Sequence, residues 1–149
     1  MVEMLKKDYE FEKACERLYD EAEKNGNELM MEAASKAHRA FETEAREKGN
    51  DYCALYRMYC EARNSGNELI DVNEPYQYND ASNLIHTFRK YRVEQFTFSS
   101  SWSGATEAAW RFAEMGCDLL GMVEINSKYS PSFGKKEREK VHAYLFKVN

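Results

Sequence analysis

The feature that most constrains the fold is a change of hydrophobic period partway along the chain. Up to Tyr91 the apolar residues recur at i, i+3, i+4 and i+7, the rhythm of amphipathic helices. From Val93 onward several segments alternate with a period of two, the rhythm of strands. A chain of 149 residues with 43% apolar residues is long enough to bury a core. An α+β fold follows, with a first half of three helices ahead of a second half that mixes helices and strands.

Helix one runs near Asp8 to Lys24, with Phe11, Cys15, Leu18, Tyr19 and Ala22 on one face. Helix two runs near Glu28 to Lys48 on a stripe of Met30, Ala33, Ala34, Ala37, Ala40 and Phe41. Helix three starts around Asp51 and is expected to bury Tyr52, Leu55, Tyr56, Tyr59 and Ala62. AEKNGNELM (Ala22–Met30) repeats as ARNSGNELI (Ala62–Ile70) at an offset of 40 residues. Each copy reads as a helix stop with Gly at the left-handed C′ position, followed by Asn and a new start. The short breaks imply antiparallel helices.

The loop VNEPYQYND precedes a fourth helix, capped by Asn79 or Asp80 and ending at Tyr91, with Leu84, Ile85, Phe88 and Tyr91 facing inward. Strands are expected at Val93–Ser99, Asp118–Asn126 and Val141–Val148, with a helix at Gly104–Met115 between the first two. The last strand is apolar on both faces, hence central or well covered. The second half therefore reads α-β-α-β-β on a mixed three-stranded sheet. The βαβ part predicts two adjacent parallel strands and the last strand antiparallel. The expected division is a helical region over 1–72 and a small α/β region over 73–149, packed as one domain.

The stretch FTFSSSWSGATEAAW (Phe96–Trp110) poses the main functional question. Ser103 reads as the helix N-cap and Gly116 as its C′ residue, leaving Ser99, Ser100, Ser101 and Trp102 unaccounted for. One reading makes them a structural turn with Trp102 packed or at an interface. The other makes them a ligand site, because a helix N-terminus offers free amides and a positive dipole end to an anion. On that reading Ser99, Ser100, Ser101, Trp102 and Ser103 share a rim with Asn126, Lys128 and His142. No GxxxxGK[ST], GxGxxG or GxSxG motif occurs, so no nucleotide fingerprint or nucleophile elbow is present and no catalytic residue is assigned.

The formal net charge is −5, and residues 1–50 hold nine Lys/Arg against thirteen Asp/Glu. An acidic surface disfavours nucleic acid and anionic membranes and suits a basic protein partner. Such a partner would meet Glu12, Glu16 and Glu23, with Trp102, Tyr129, Phe133, Lys135 and Lys136 as further contacts. Tyr76, Tyr78, Tyr129 and Phe133 fall in expected loops, where aromatics reach partners. The loop SKYSPSFGKKEREK between the last two strands carries the one basic run. Four cysteines show no CxxC pair and His number three, so reduced buried thiols are expected, with no metal and no cofactor. The chain lacks a long apolar run and a signal-peptide core, and a cytoplasmic location is expected.

IHTFRKYRVEQFTFSSSWSGATEAAWRFAEMGCDLLGMVEINSKY and the closing HAYLFKVN resemble a family of small uncharacterised proteins. These are carried on conjugative and other mobile elements of Gram-positive gut bacteria. The resemblance runs from about Leu69 onward, and the FTFSS-W-S-A-W and EIN blocks are its most specific parts. It implies an accessory protein of a mobile element and brings no catalytic residue with it. Small acidic accessory proteins of such elements often inhibit host defence nucleases, as anti-CRISPR proteins do. Two functions thus stand: a non-enzymatic interaction module, which is the favoured one, and a small-ligand- or anion-binding α/β module, enzymatic or not, built on the serine turn.

Overall fold

The computed structural model describes residues 2–149. The helices are α1 (Val2–Lys24), α2 (Glu28–Glu47), α3 (Asn50–Asn64), α4 (Pro75–Tyr78), α5 (Ala81–Lys90) and α6 (Ala105–Glu114). The strands are β1 (Asp71–Val72), β2 (Gln95–Phe98), β3 (Cys117–Asn126) and β4 (Lys140–Val148). The α+β expectation holds. The chain forms two compact units, one up to Tyr56 and one from Arg57 to Asn149, so the division falls inside α3.

In the first unit, α1 and α2 pack as a hairpin. Gly26 takes φ 66°, and the amides of Gly26 and Asn27 bond back to the carbonyls of Glu23 and Ala22 at 3.2 and 2.8 Å. That geometry closes α1 with a Schellman motif. The Asn27 side chain then accepts from the Met30 amide and caps α2. Phe41 sits between the rings of Phe11 and Tyr56, with centroids 5.6 and 5.8 Å away. Asp8 accepts from Lys48 Nζ and the Tyr52 hydroxyl, and Glu12 accepts from the Tyr56 hydroxyl at 3.1 Å.

In the second unit the repeated stop recurs with a different outcome. Gly66 takes φ 77°, and Asn67 bonds back to Ala62 O at 2.9 Å, so α3 closes as α1 does. No helix follows. The chain turns through buried Ile70 into the short strand β1, which the sequence pattern did not mark.

The sheet has four strands in the order β1-β2-β4-β3. β1 and β2 are parallel, while β4 runs antiparallel to both β2 and β3. The expected adjacency of β2 and β3 is overturned: they point the same way, but β4 lies between them. The parallel neighbour of β2 is β1, connected through α4 and α5. β4 can fill the centre because it offers a partner on each edge, pairing Phe146 with Phe96 on one side and Leu119 on the other.

Pairing fixes which side chains share a face. Phe96, Phe98, Tyr144 and Phe146 lie together, and Phe112 of α6 drops onto them with ring centroids 5.3, 5.3 and 5.6 Å from Phe96, Phe98 and Phe146. Phe88 of α5 completes the cluster at 5.0 Å from Phe96. Phe88, Phe96 and Phe112 are fully buried. Tyr78, expected on an exposed loop, is also buried, because α4 lays its ring edge-on against Phe98 at 5.3 Å.

Candidate functional site

Alternation along β2 sends its side chains in two directions, and two distinct regions result. On the side away from the aromatic cluster, Thr97 and Ser99 turn their hydroxyls onto Asp71 of β1, donating at 2.7 and 2.5 Å. Asn73, just past β1, donates to Asp71 at 3.2 Å and to Glu61 of α3 at 2.8 Å. Lys128, just past β3, reaches Asn73 Oδ1 at 3.2 Å and pairs with Glu74. The Gln77 side-chain oxygen accepts from the amides of Asn73 and Glu74, holding that turn.

Thus the carboxyl ends of β1, β2 and β3 meet in one hydrogen-bonded knot. Burial pushes the Asp71 carboxyl above its ordinary range, against the pull of bonds from Ser99, Thr97 and Asn73, and the Glu61 charge adds to the rise. Lys128 is raised as well: burial lowers it, but the bond to Glu74 and the charges of Glu61 and Glu74 prevail. The one lysine of the knot is met by the carboxylates of Glu74 and Glu61, which take up its charge. Among the described residues no group of His, Cys, Asp and Glu is placed to hold a metal ion.

On the aromatic side, a groove of about 520 Å³ opens between α6 and the sheet. Phe98, Tyr144 and Phe146 form its floor and Leu119 the β3 side. Ala105, Ala109 and Ala113, one helical turn apart, leave the space on the α6 side. Trp102 and Trp110 flank it, 58% and 61% exposed, and Ser100 and Ser101 lie at its end. Leu119, Met122 and Tyr144 are exposed as well.

The serine turn is therefore the hinge between knot and groove. Ser99 faces Asp71; the Ser100 hydroxyl bonds the Tyr78 hydroxyl at 2.9 Å. Ser101 and Trp102 are exposed. Ser103 does not cap α6: the N-cap is Gly104, in the left-handed region at φ 89° and without a side chain to cap with, and the Ala105 amide bonds the Trp102 carbonyl at 3.1 Å instead. His142 stands opposite Glu124 across the β3–β4 pair, 3.5 Å from its carboxylate, with both side chains exposed. Asn126 is held by other residues, its backbone by Asn67 and its side chain by Lys140. Of the eight rim residues named from the sequence, Ser99 and Lys128 join the knot and Ser100 to Trp102 line the groove.

The expected partner-binding residues are spread out. Glu12 is engaged with the Tyr56 hydroxyl and with His38 Nε2, both at 3.1 Å. Glu16 pairs with Lys13, and Glu23 is exposed. Tyr129 and Phe133 are exposed in the long loop, and Lys135 pairs with Glu139. Lys136 is exposed too. That loop is fastened at its base by Arg138, which donates to the carbonyls of Lys128 and Tyr129 at 2.9 and 2.7 Å. Sequence reasoning missed Asp71, Asn73, Trp110 and Leu119. Only Trp110 carried a signal, a large aromatic beside the alanines of α6.

Among the described residues no helix is long and apolar enough to cross a membrane. All four cysteines are free, and burial pushes the Cys15 and Cys117 thiols up. No curated protein and no solved structure matches the chain. A family model described as a domain of unknown function, DUF7698, matches residues 54–148, which includes all four strands, the knot and the groove. The chain accordingly belongs to the DUF7698 family.

Proposed function

We propose that this chain is a non-enzymatic protein-interaction module whose contact face is the aromatic groove and the adjoining strand β3. Its biological setting, on this reading, is that of an acidic accessory or anti-defence (anti-CRISPR-like) inhibitor of a mobile element. The observation that carries the reading is the exposure of Trp102, Trp110, Leu119 and Tyr144 around one groove, with Met122 exposed beside Tyr144 on the neighbouring strand. Large contiguous apolar patches on a protein surface mark binding sites, and Trp and Tyr dominate interface energetics. The net charge of −5 supports a basic partner.

The test begins with pull-down from host lysate and purification of the captured protein. Replacing Trp102 and Trp110 together by Ala should weaken its binding at least about a hundredfold, as loss of two aromatic anchors does. Reversing Glu16 and Glu23 to Lys should cost less and blunt the salt dependence. Glu12 is unsuited to this arm, because its reversal strips Tyr56 and His38 of their acceptor. Tight binding by the tryptophan variant would refute the assignment of the face.

The groove volume favours a second reading, a flat apolar small molecule seated between Trp102 and Trp110, since ligand pockets span about 300–1,000 Å³. A ligand at one hundred times its dissociation constant would stabilise the fold by about 2.7 kcal/mol in a thermal-shift screen. An anion at the serine turn is less favoured, because the Ser99 and Ser100 hydroxyls are already bonded.

A further inference from the structure

β3 is an edge strand, and its backbone shows which of its groups are open. Asn67 uses its carboxamide as a strand would: Nδ2 donates to Asn126 O and Oδ1 accepts from Asn126 N, both at 2.9 Å. The N–H and C=O of Asn126 therefore point away from β4. The next residue confirms the parity, since Ser127 N donates to Glu139 O at 2.7 Å, toward the other side. In a strand, every second residue repeats the orientation, so the amides and carbonyls of Glu124 and Met122 also face outward. Beyond them the register shifts between Leu119 and Gly121, and the regular ladder is interrupted. Among the described residues no strand pairs with this edge.

Edges are ordinarily protected by charged side chains, above all Lys, by Pro, by a bulge or by a covering element, and the irregularity of β3 lies before the Met122 and Glu124 rungs rather than on them. CDLLGMVEIN has no Lys, Arg or Pro, and Leu119, Leu120 and Met122 on it are exposed. Met122 shares a face with Tyr144, and Leu119 forms one side of the groove. The local charge is acidic: β3 and α6 together carry Glu107, Glu114, Asp118 and Glu124 against Arg111 alone.

We propose that the groove's partner enters as an extended segment that adds a strand to β3 on the Met122 and Glu124 rungs, next to the Asn67 carboxamide. The segment is basic, carrying Lys or Arg, with apolar side chains at alternate positions that pack beside Leu119 and Met122. A second copy of this chain fits less well, because it would bring the same acidic strand to an acidic edge. This inference rests on the interaction-module reading and specifies its partner.

The probe is a synthetic peptide of about eight residues alternating Val with Lys, a length within the usual range for strands. Binding should slow hydrogen exchange at the Met122 and Glu124 amides, which face solvent in the free protein. N-methylating the amides along one edge of the peptide should weaken binding about tenfold or more. Glu124→Pro removes an outward donor and spares the backbone bonds to β4, giving up only the exposed side-chain contact with His142, so it should weaken binding similarly while the fold survives. Should that variant not fold, the N-methylated peptide and the exchange data decide.

Failure of the peptide to bind overturns the proposal. So does binding that leaves both amides unprotected. A protein dimer that Glu124→Pro dissolves also overturns it, assigning the edge to a second copy. If the captured host protein depends on Trp102 and Trp110 but is indifferent to Glu124→Pro, strand addition fails and the groove reading survives.

Discussion

Replacing Asn67 with Ala tests the role given to its carboxamide. The variant removes two hydrogen bonds of 2.9 Å to the Asn126 backbone and leaves the Asn67 amide bonded to Ala62 O. Each such bond contributes about 0.5–1.5 kcal/mol net, and both residues are partly exposed, so water can take over some of the lost contact. A loss of about 1–2 kcal/mol follows, which for a unit of this size lowers the melting temperature by roughly 4–16 °C. Urea titration measures the first quantity and calorimetry the second. Amide exchange gives the local readout: the Asn126 amide should exchange faster, while the β3–β4 ladder stays protected. Asn27→Ala is the matched control, since the same motif there caps α2 at a typical cost of about 1 kcal/mol. Unchanged exchange at Asn126 in the Asn67 variant would refute the strand-mimic argument and, with it, the outward parity of Glu124 and Met122.

Phe112→Ala should cost about 3–5 kcal/mol, because it empties the fully buried position where three other rings converge; a smaller loss by chemical denaturation would contradict that packing. Arg92, at φ 55°, ends α5 in the left-handed region without being glycine, so Arg92→Gly should stabilise by about 1 kcal/mol in urea melts. Asp71 supplies a pH test. Its folded pKa lies above the unfolded value, so the folded state holds the extra proton and stability drops as pH rises from the unfolded through the folded pKa. The stability difference between the wild type and Asp71→Asn should therefore shift against the wild type across that window; a difference independent of pH would remove Asp71 from the account.

Much of the fold is legible locally. The helix stops at Gly26, Gly66 and Gly116 are readable because only a residue without a Cβ takes the left-handed position cheaply. β2, β3 and β4 were expected within two residues of their observed bounds, since alternation is a local property. Sheet order is not. Whether β2 meets β3 or β4 depends on Phe96 finding Phe146, 50 positions away, and no short window records that choice. β1 escaped for the related reason that two residues carry no period; Asp71 and Val72 become a strand only because β2 lies alongside. The knot was half visible. Ser99 and Lys128 could be placed at strand ends, but an acid between a helix stop and a Pro-containing loop reads as solvated until Thr97 and Ser99 close over it. The groove was hidden because alanines at i, i+4 and i+8 signal close packing as readily as vacant space.

The position of β4 has a consequence for how the molecule comes together. Of the four strands it is the last in the chain, yet it occupies the middle of the sheet, bonded to β2 on one side and β3 on the other. During synthesis β2 and β3 emerge with no mate for the edges they will share with β4, and the Phe96–Phe112 cluster lacks Phe146 until the closing strand arrives. Closure of the sheet must therefore wait for the ribosome to deliver Lys140–Val148, and the rate of that step is governed by long-range pairing rather than local helix formation. A nascent chain halted before β4 would display both hydrophobic strands at once, making the interval before insertion the point at which a chaperone has most to hold.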